Sequence, residues 1–324
     1  MTANQLRSEP HSGRSALSQR FTTLWNEGGQ SIRFDGPPCG RPLIMGILNV
    51  TPDSFSDGGR FDTVQTALAH ALRLFEEGAD IIDVGGQSTR PGSDPVLLDE
   101  ELRRVIPVIE AIVSRSDVLI SVDTSKADVA RQALTAGAQI VNDVTSLRED
   151  PAMVELACSG NAGFIVMHMQ GTPKTMQLAP SYQNVVEEVA TFLSERLDWL
   201  EAQGIARERI VVDPGIGFGK TTEHNLRIIA RLDRIAELGR PVCLGHSRKG
   251  FIGKVLGRRE DQREYGTAGV ALVGYLHGAS LLRVHDVAAI RDVISIARAI
   301  GSWEAEIDKR SGEGPMYGSS CSTA

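Results

Sequence analysis

Polar residues that could do chemistry follow eight short apolar runs along the chain. The runs end at Asn49, Asp83, Asp123, Asn142, His168, Asp213, Ser247–Lys249 and Arg283–His285. Carboxylates and amides accept the N–H groups of a flat ring with amino and amide edges, and Arg can stack on such a ring or pair with a diphosphate. Each residue alone could instead cap a helix, anchor a loop or lie on a solvated surface. Eight polar ends in register favour one shared ligand site.

A repeating unit of strand and helix must position these residues. The runs are rich in Val and Ile without period-2 alternation, which is typical of parallel strands buried on both faces. A closed (β/α)8 barrel brings the carboxyl ends of all eight strands to one mouth. We therefore predict an α/β protein with a TIM barrel as its single domain. The predicted strands are Leu43–Val50, Ile81–Gly85, Val118–Asp123, Gln139–Asn142, Phe164–His168, Ile210–Asp213, Val242–Gly245 and Leu281–Val284.

Helix-like stretches follow the strands, and glycines such as Gly78 and Gly204 are placed to end them. The barrel is expected over residues 25–305, between flexible tails at 1–24 and 306–324, with Trp25–Gly40 as a small hairpin closing the bottom. The predicted helices are Thr63–Glu77, Asp99–Arg115, Lys126–Ala136, Pro151–Ser159, Asn184–Gln203, Glu223–Leu238, Glu264–His277 and Val287–Ile300.

Two long loops stand out after the first two strands. Thr51–Asp62 and Gly86–Asp99 are rich in Gly, Pro, Ser and Asp. Loops after barrel strands are usually a few residues long, and longer ones tend to close over ligands. We expect both loops at the mouth, with Phe55 facing a ligand.

The composition narrows the class of protein. The chain has 324 residues, 41% of them hydrophobic and 23% charged, as in globular proteins. Its net charge of -7 argues against a nucleic-acid surface, and no apolar stretch is long enough for a membrane span. Four scattered cysteines suggest no disulfide framework. We expect a cytoplasmic protein, although the Ser- and Arg-containing first 25 residues leave an organelle transit peptide open.

The Gly-rich segment 213–221 does not fit the common nucleotide motifs. A P-loop would need Gly at Pro214, and no early dinucleotide-binding half precedes the segment. We expect a loop whose backbone approaches a flat ligand closely, with Phe218 beside that ligand. The chain has no HExxH motif, Cys/His cluster or GxSxG elbow, so neither a zinc site nor a serine nucleophile is expected. The amide oxygen of Asn49 could lie near Mg²⁺.

Several of these segments together resemble the dihydropteroate synthases. The motifs are Met-Gly-Ile-Leu-Asn-Val-Thr-Pro-Asp-Ser-Phe-Ser-Asp-Gly-Gly (45–59), Asp-Val-Gly-Gly-Gln-Ser-Thr-Arg-Pro-Gly (83–92), Ser-Val-Asp-Thr-Ser-Lys (121–126), Asn-Asp (142–143), Met-His-Met-Gln-Gly (167–171), the 213–221 segment, Ser-Arg-Lys (247–249) and Arg-Val-His-Asp-Val (283–287). The resemblance covers roughly residues 43–300. Gln87 departs from it, because many bacterial members carry Glu there.

The resemblance implies a transferase of folate biosynthesis with Mg²⁺ as cofactor. Members join 6-hydroxymethyl-7,8-dihydropterin diphosphate to 4-aminobenzoate, and they are commonly homodimers. Carried over, the pterin is held by Asp123, Asn142, Asp213 and Lys249 with Arg283 stacked on it. Asn49 and His285 face the diphosphate with Mg²⁺ near Asn49, and Asp123, Lys249, Arg283 and His285 are the catalytic set. The aminobenzoate site is implied to include Phe55, Ser88, Thr89, Arg90, Pro91 and Ser247.

Two other functions stay open on the sequence alone. A methyltetrahydrofolate-binding methyltransferase barrel would share the pterin pocket but would need no diphosphate site. The Thr51–Asp62 loop, the Ser-Arg-Lys run 247–249 and the Arg283/His285 pair favour the synthase. A catalytically silent pterin-binding protein is the second alternative, and the full set of matched polar positions argues against it.

Overall fold

A computed structural model describes residues 21–23, 32–34, 40–50, 60–88, 93–172 and 174–311. Eight parallel strands close into a barrel, which confirms the predicted fold. The barrel strands are β3 (Leu43–Asn49), β4 (Ile81–Gly85), β5 (Leu119–Asp123), β6 (Ile140–Asp143), β7 (Gly163–Met167), β8 (Ile210–Asp213), β9 (Val242–Leu244) and β10 (Ala279–Val284). Around the barrel the order is β10-β3-β4-β5-β6-β7-β8-β9, and β10 pairs with both β3 and β9.

Helices cover the outside of the barrel between successive strands. They are α1 (Arg60–Glu76), α2 (Leu98–Val113), α3 (Ala127–Thr135), α4 (Pro151–Ser159), α5 (Val185–Ala202), α6 (Thr222–Ala230), α7 (Leu232–Ala236), α8 (Gly250–Leu256), α9 (Glu264–Leu276) and α10 (Val287–Ser311). Local signals fix several ends. Asp150 accepts the Ala152 N–H at 3.0 Å with Pro151 in the first turn of α4, and Gly78 follows α1 with φ +99°.

The predicted helices need three corrections. Glu223–Leu238 is two helices, because the backbone of Arg231 (φ −128°, ψ 37°) leaves the helical region. The helix Gly250–Leu256 had no predicted counterpart. The last helix continues to Ser311, past residue 305 where the barrel was predicted to end.

The predicted hairpin at the bottom begins earlier than expected. β1 (Phe21–Thr23) pairs antiparallel with β2 (Ile32–Phe34), so the pair starts ahead of residue 25. β1 also contacts the 3₁₀ turn Arg207–Arg209, which leads into the amino end of β8. The tails 1–20 and 312–324 lie outside the described residues, and their predicted flexibility stays a prediction.

Two apolar layers hold the barrel together. Outward-facing strand residues such as Ile82 and Val122 pack under the helices in the main core. The barrel interior has a separate plug of completely buried side chains, namely Met45, Ile81, Ile140, Ile165, Val211, Cys243 and Leu281. Because side chains alternate along a strand, residues two positions further on also face the interior, one level closer to the mouth. In the described part of the chain, no helix is both long and apolar enough to cross a membrane.

Candidate active site

A polar layer lies directly above the apolar plug. Asp83, Asn142, Asp213 and Arg283 follow Ile81, Ile140, Val211 and Leu281 by two residues on their strands. All three acidic and amide side chains are buried. The predicted polar residues therefore lie at the carboxyl ends of the barrel strands, and the apolar plug beneath them is rigid and excludes water.

Arg283 joins two carboxylates at the centre of this layer. Its Nε donates to Asp83 Oδ2 at 2.6 Å, and its Nη2 donates to Asp123 Oδ2 at 2.8 Å. Asn142 Nδ2 donates to the same Asp83 oxygen at 3.1 Å. These bonds use the edge of the guanidinium, so its flat face is still available for the predicted stacking on a ring. Asp83 was predicted at the mouth as one of the eight polar strand ends but was given no role there, and it holds both Arg283 and Asn142.

One guanidinium shared by two buried carboxylates leaves the cluster one negative charge in excess. Burial raises the pKa of Asp123 to about 7, with Arg283 opposing the shift and the charge of Asp83 adding to it. Burial alone would lower the pKa of Arg283, but Asp83 and Asp123 together raise it above its ordinary value. The arginine therefore stays charged, whereas Asp123 is poised to accept a proton or stabilise a cation.

Asp213 and Arg283 both lie beside Gly245. A methyl group on Gly245 would lie 3.6 Å from Asp213 Oδ2 and 4.0 Å from Arg283 Cδ, so the glycine leaves room for about one methyl-sized group in ordinary contact with both side chains. Asp213 Oδ1 accepts the Gly215 N–H at 2.6 Å. Burial raises the pKa of Asp213, and the Gly215 N–H, Lys249 and Arg283 oppose that shift.

The Gly-rich loop after β8 holds an aromatic wall. Gly215 has φ +68°, and a Cβ there would lie 1.9 Å from the carbonyl oxygen of His168, so the position requires glycine. The loop carries Phe218, which packs in a small apolar cluster with Met167 among others. The Nζ of Lys249 lies 4.2 Å from the centre of the Phe218 ring. Phe218 and Lys249, both predicted to bind substrate, therefore lie side by side.

Ser247 and His285 form a polar pair at the ends of β9 and β10. The Oγ of Ser247 lies 2.9 Å from His285 Nδ1 and accepts the His285 N–H at 3.3 Å. Arg248, the residue after Ser247, has the left-handed φ of 56°, which costs energy for a residue with a side chain. Thr267 Oγ1 accepts its N–H at 3.1 Å, and Arg263 Nη1 donates to its carbonyl oxygen at 2.8 Å. The strained turn is thus held from both sides.

His168 is a structural residue rather than a ligand of the mouth. Its ring packs edge-on against Phe192 at 5.0 Å, and its Nδ1 lies 2.9 Å from Lys220 Nζ. Burial lowers the pKa of His168 to about 3, so the ring is neutral and accepts from the lysine. Lys220 also donates to the carbonyl oxygen of Phe218 at 3.0 Å, and burial lowers its pKa to about 7. This lysine was not predicted, and it fixes the backbone that carries Phe218.

The metal prediction rests on oxygen ligands. A Cβ on Gly85 would lie 3.8 Å from both Asn49 Oδ1 and Asp123 Oδ2, so these two oxygens lie near each other at the mouth. Among the described residues, no group of three His, Cys, Asp or Glu side chains could hold a metal ion. A Mg²⁺ ion that keeps waters and substrate phosphates as most of its ligands fits this sparse donor set.

The structure brings most of the predicted residues to one place. Those at the mouth are Asn49, Asp123, Asn142, Asp213, Phe218, Ser247, Lys249, Arg283 and His285. Ser88 lies in the second loop, where its carbonyl oxygen accepts from Ser93 Oγ at 2.6 Å. Phe55, Thr89, Arg90 and Pro91 lie outside the described residues.

Comparison with known proteins places the chain among pterin-binding enzymes. The family model described as "Pterin binding enzyme" matches residues 45–285. The dihydropteroate synthase of Haemophilus influenzae is 47% identical over 258 residues, covering 80% of this chain and 94% of that protein. The Escherichia coli dihydropteroate synthase is 46% identical, covering 80% and 91%.

Solved structures agree. A Xanthomonas albilineans dihydropteroate synthase with 4-aminobenzoic acid has a TM-score of 0.79 at 47% identity, covering 86% of this chain and 98% of that one. A structure of the enzyme from the same organism in complex with 7,8-dihydropteroate has a TM-score of 0.76 at 44% identity, covering 87% and 98%.

Proposed function

The chain belongs to the dihydropteroate synthases, and we propose how its barrel mouth carries out their reaction. It joins 6-hydroxymethyl-7,8-dihydropterin diphosphate to 4-aminobenzoate and releases 7,8-dihydropteroate and diphosphate in folate biosynthesis. The observation that carries the proposal is the polar layer above the apolar plug, where Asp123, Asn142, Asp213 and Arg283 lie together.

We place the pterin ring on this polar layer. Asp213 and Asn142 meet the N–H edges of the ring, since carboxylate and amide oxygens are acceptors for them. Lys249 approaches from the Phe218 side, and Arg283 stacks on the ring with the guanidinium face that its two ion pairs leave available. These side chains suit a flat polar ring, because its N–H edges need acceptors that are held in fixed positions.

Cleavage of the bond between the pterin methylene and the diphosphate oxygen starts the chemistry. The electron pair leaves with the diphosphate, and positive charge spreads into the ring. The carboxylate of Asp123 stabilises that charge, because the cluster it belongs to already carries one excess negative charge. The amine nitrogen of aminobenzoate then attacks the methylene carbon and loses a proton to solvent. No covalent enzyme intermediate is needed.

The cationic rim receives the departing diphosphate. His285, held by Ser247 at 2.9 Å, and Arg283 are proposed to donate hydrogen bonds to it at the ends of β9 and β10. Asn49 would hold a Mg²⁺ ion here, and such an ion would neutralise charge on the diphosphate.

The aminobenzoate site is proposed to lie between the barrel rim and the two long loops. Phe218 and Ser247 belong to the rim, while the proposed loop contacts Phe55, Thr89, Arg90 and Pro91 come from the resemblance, together with Ser88. The closed loops would exclude water from the cation.

Both alternatives from the sequence lose support. The methyltransferase barrel needs no anion site, whereas Arg283, His285 and Lys249 all lie at or just after the carboxyl ends of β9 and β10 in this mouth. The silent pterin-binding protein would need no buried carboxylate with a raised pKa beside the ring. Asp123 has that property.

We also propose a homodimer formed through α9 and α10, which are neighbours on the barrel surface. Both helices expose large apolar side chains, namely Val273, Leu276, Ile296, Ile300 and Trp303. Such a patch marks an interaction surface, and a second copy of the chain is the occupant that the family resemblance implies. Light scattering should give the mass of two chains for wild type and for the control Phe75→Asp on α1, but of one chain for Ile300→Asp.

A cytoplasmic location is proposed for the enzyme. Cys158 and Cys243 are free thiols, in keeping with a reducing compartment. Fractionation of the source cells with antibody detection would test the location.

A single assay tests the function. Wild-type protein should convert pterin diphosphate and 4-aminobenzoate, with Mg²⁺, into dihydropteroate that mass spectrometry detects. Asp123→Asn should bind a pterin analogue with little loss but should turn over at least about 10²-fold more slowly. Pterin binding without any turnover in wild type would favour the silent binding protein.

A further inference from the structure

A buried ionic cluster lies beside the mouth and is used by none of the steps above. Glu101, on the inner face of α2, is 1% exposed. Its Oε1 accepts from Thr124 Oγ1 at 2.6 Å, and its Oε2 pairs with Lys126 Nζ. Burying a carboxylate is costly unless it is paired and hydrogen-bonded, and here both oxygens have partners.

The same lysine reaches into the second long loop. Lys126 Nζ donates to Gln87 Oε1 at 2.7 Å. That oxygen also accepts the backbone N–H of Val96 at 3.2 Å. Gln87 and Val96 stand on either side of the loop tip, so one amide oxygen ties the two ends of the loop together. The side chains of Glu101, Lys126 and Gln87 are called the latch below.

The base of the loop rests directly on the latch. A methyl group on Gly86 would lie 3.1 Å from Glu101 Cγ and 2.8 Å from Val105 Cγ1, so the backbone there packs against α2 without any gap. Arg104 Nη1 donates to the Gly86 carbonyl oxygen at 2.8 Å. The neck of the loop therefore has one fixed position for as long as these contacts hold.

The latch also reaches the residue that stabilises charge in the reaction. Thr124 directly follows Asp123, and its hydroxyl both donates to Glu101 and accepts the Lys126 N–H at 3.2 Å. A single carboxylate thus holds the turn after Asp123 and, through Lys126 and Gln87, the loop expected to cover aminobenzoate. A shift on one side changes the hydrogen bonds available to the other.

We propose that Gln87, Lys126 and Glu101 are positioning residues that hold the two ends of the second loop together and couple them to the turn carrying Asp123. The inference rests on the proposed function, because it assigns the loop to the aminobenzoate site. The latch sets the affinity for aminobenzoate without contacting that substrate. Gln87 is the adjustable part, since a carboxylate in its place would add a second ion pair to Lys126.

Steady-state kinetics of Gln87→Leu test the proposal. The variant keeps the Lys126–Glu101 pair, so Glu101 is not left as an unpaired buried charge. The KM for aminobenzoate should rise about tenfold, the scale of one lost hydrogen bond to a charged donor. The KM for pterin diphosphate should stay within about twofold and kcat within about threefold. An unchanged aminobenzoate KM, or an equal rise in both KM values, would refute the proposal that the latch sets the affinity for aminobenzoate.

Gln139→Leu is a matched control. Gln139 Oε1 accepts the Ile120 N–H at 2.8 Å, the same kind of bond, but at the opposite end of the barrel strands. Its loss should lower stability and leave both KM values unchanged. If this control also raises the aminobenzoate KM, the effect of Gln87→Leu is only a general loss of stability and the proposal fails.

Two further measurements separate the latch from the function. Relative to wild type, Gln87→Glu should keep or lower the aminobenzoate KM. A rise as large as that of Gln87→Leu would refute the ion-pair reasoning. Amide hydrogen exchange at Val96 should accelerate in Gln87→Leu and stay slow in Gln139→Leu, whatever the enzyme turns over. Slow exchange in Gln87→Leu would refute the claim that Gln87 ties the two ends of the loop together. Failure of wild-type turnover would refute the proposed function instead.

Discussion

Replacing Asp83 with Asn should move the pH dependence of catalysis. Asp83 and Asp123 hold one guanidinium at 2.6 Å and 2.8 Å, and the pKa of Asp123 is raised to about 7 by burial, with Asp83 adding to it. Catalysis that needs the Asp123 carboxylate should therefore fall as the pH drops below about 7. Asn at position 83 removes one negative charge, keeps an acceptor for Arg283, and leaves Asp123 with the whole guanidinium.

The size of the shift follows from the charges involved. Two carboxylates about 5 Å apart at an effective dielectric of ~20 repel by about 3 kcal/mol, equivalent to roughly two pKa units. The pKa of Asp123 should fall by about one to two units in Asp83→Asn. Arg283 keeps a charged partner, so we expect a stability loss of only about 1–3 kcal/mol and a folded enzyme.

The assay is kcat/KM for the pterin diphosphate between pH 5 and 8. The substrate titrates identically with every variant, so the difference between enzymes isolates Asp123. The acid limb should move to lower pH in Asp83→Asn. It should not move in Asp80→Asn, which loses an ion pair to Arg41 at the other end of β4. An acid limb that stays in place in Asp83→Asn would refute the view that the two carboxylates share one charge partner.

Three further predictions concern side chains of the mouth and of the Gly-rich loop beside it. Asp213→Ala should abolish productive pterin binding while the fold survives, because ring N–H groups lose an acceptor worth about 1–3 kcal/mol each; calorimetry that finds affinity within about twofold of wild type would contradict this. Lys249→Met and Arg283→Ala should each lower kcat by about 10²–10³, and near-normal turnover in both would show that neither side chain takes part in the reaction. Lys220 has a folded-state pKa lowered from 10.5 to about 7, so the unfolded chain binds more protons between those values and stability rises with pH across that window. Urea unfolding at pH 7 and pH 9.5 should show wild type gaining stability relative to Lys220→Met, and a constant difference would show that the ammonium is not desolvated.

The barrel could be predicted because each strand carries its own signal. Ile81–Gly85 and Ile210–Asp213 match their predicted bounds, since each is a buried Val/Ile run that a polar residue and a glycine or proline terminate. Strands buried on both faces have no alternation that could be mistaken for an exposed face. Chain order then fixed the neighbours, because parallel strands joined by crossovers pair in sequence.

The helix errors have separate physical causes. Gly250 and Gly253 lower the helix propensity of Gly250–Leu256, which hid that helix. The break at Arg231 has no sequence signal, since buried Ile228, Leu232 and Ile235 continue one apolar stripe across it. The last helix was cut short because exposed Ile296, Ile300 and Trp303 blur its amphipathic pattern.

Site residues that act through another side chain were the ones missed. Asp83 ends a strand as clearly as Asp213 does, but its importance lies in holding Arg283, which is 200 residues away in the sequence. Lys220 lies in a motif whose glycines draw attention to the backbone, while its three acceptor contacts depend on where the His168 backbone lies. Sequence position alone predicts which residues reach the mouth, but not which of them hold one another.

The division between floor and loops separates the two substrates. The floor groups lie on strands above a completely buried plug, where preorganised charges stabilise a developing cation without moving. A loop held at its neck by Gln87 can change position at the cost of a few hydrogen bonds. Substitutions in the floor should therefore act on pterin binding and kcat, whereas substitutions in the latch should act on the aminobenzoate KM. This separation follows from which groups are rigid, because charge stabilisation requires fixed partners and entry of a second substrate requires a segment that can move.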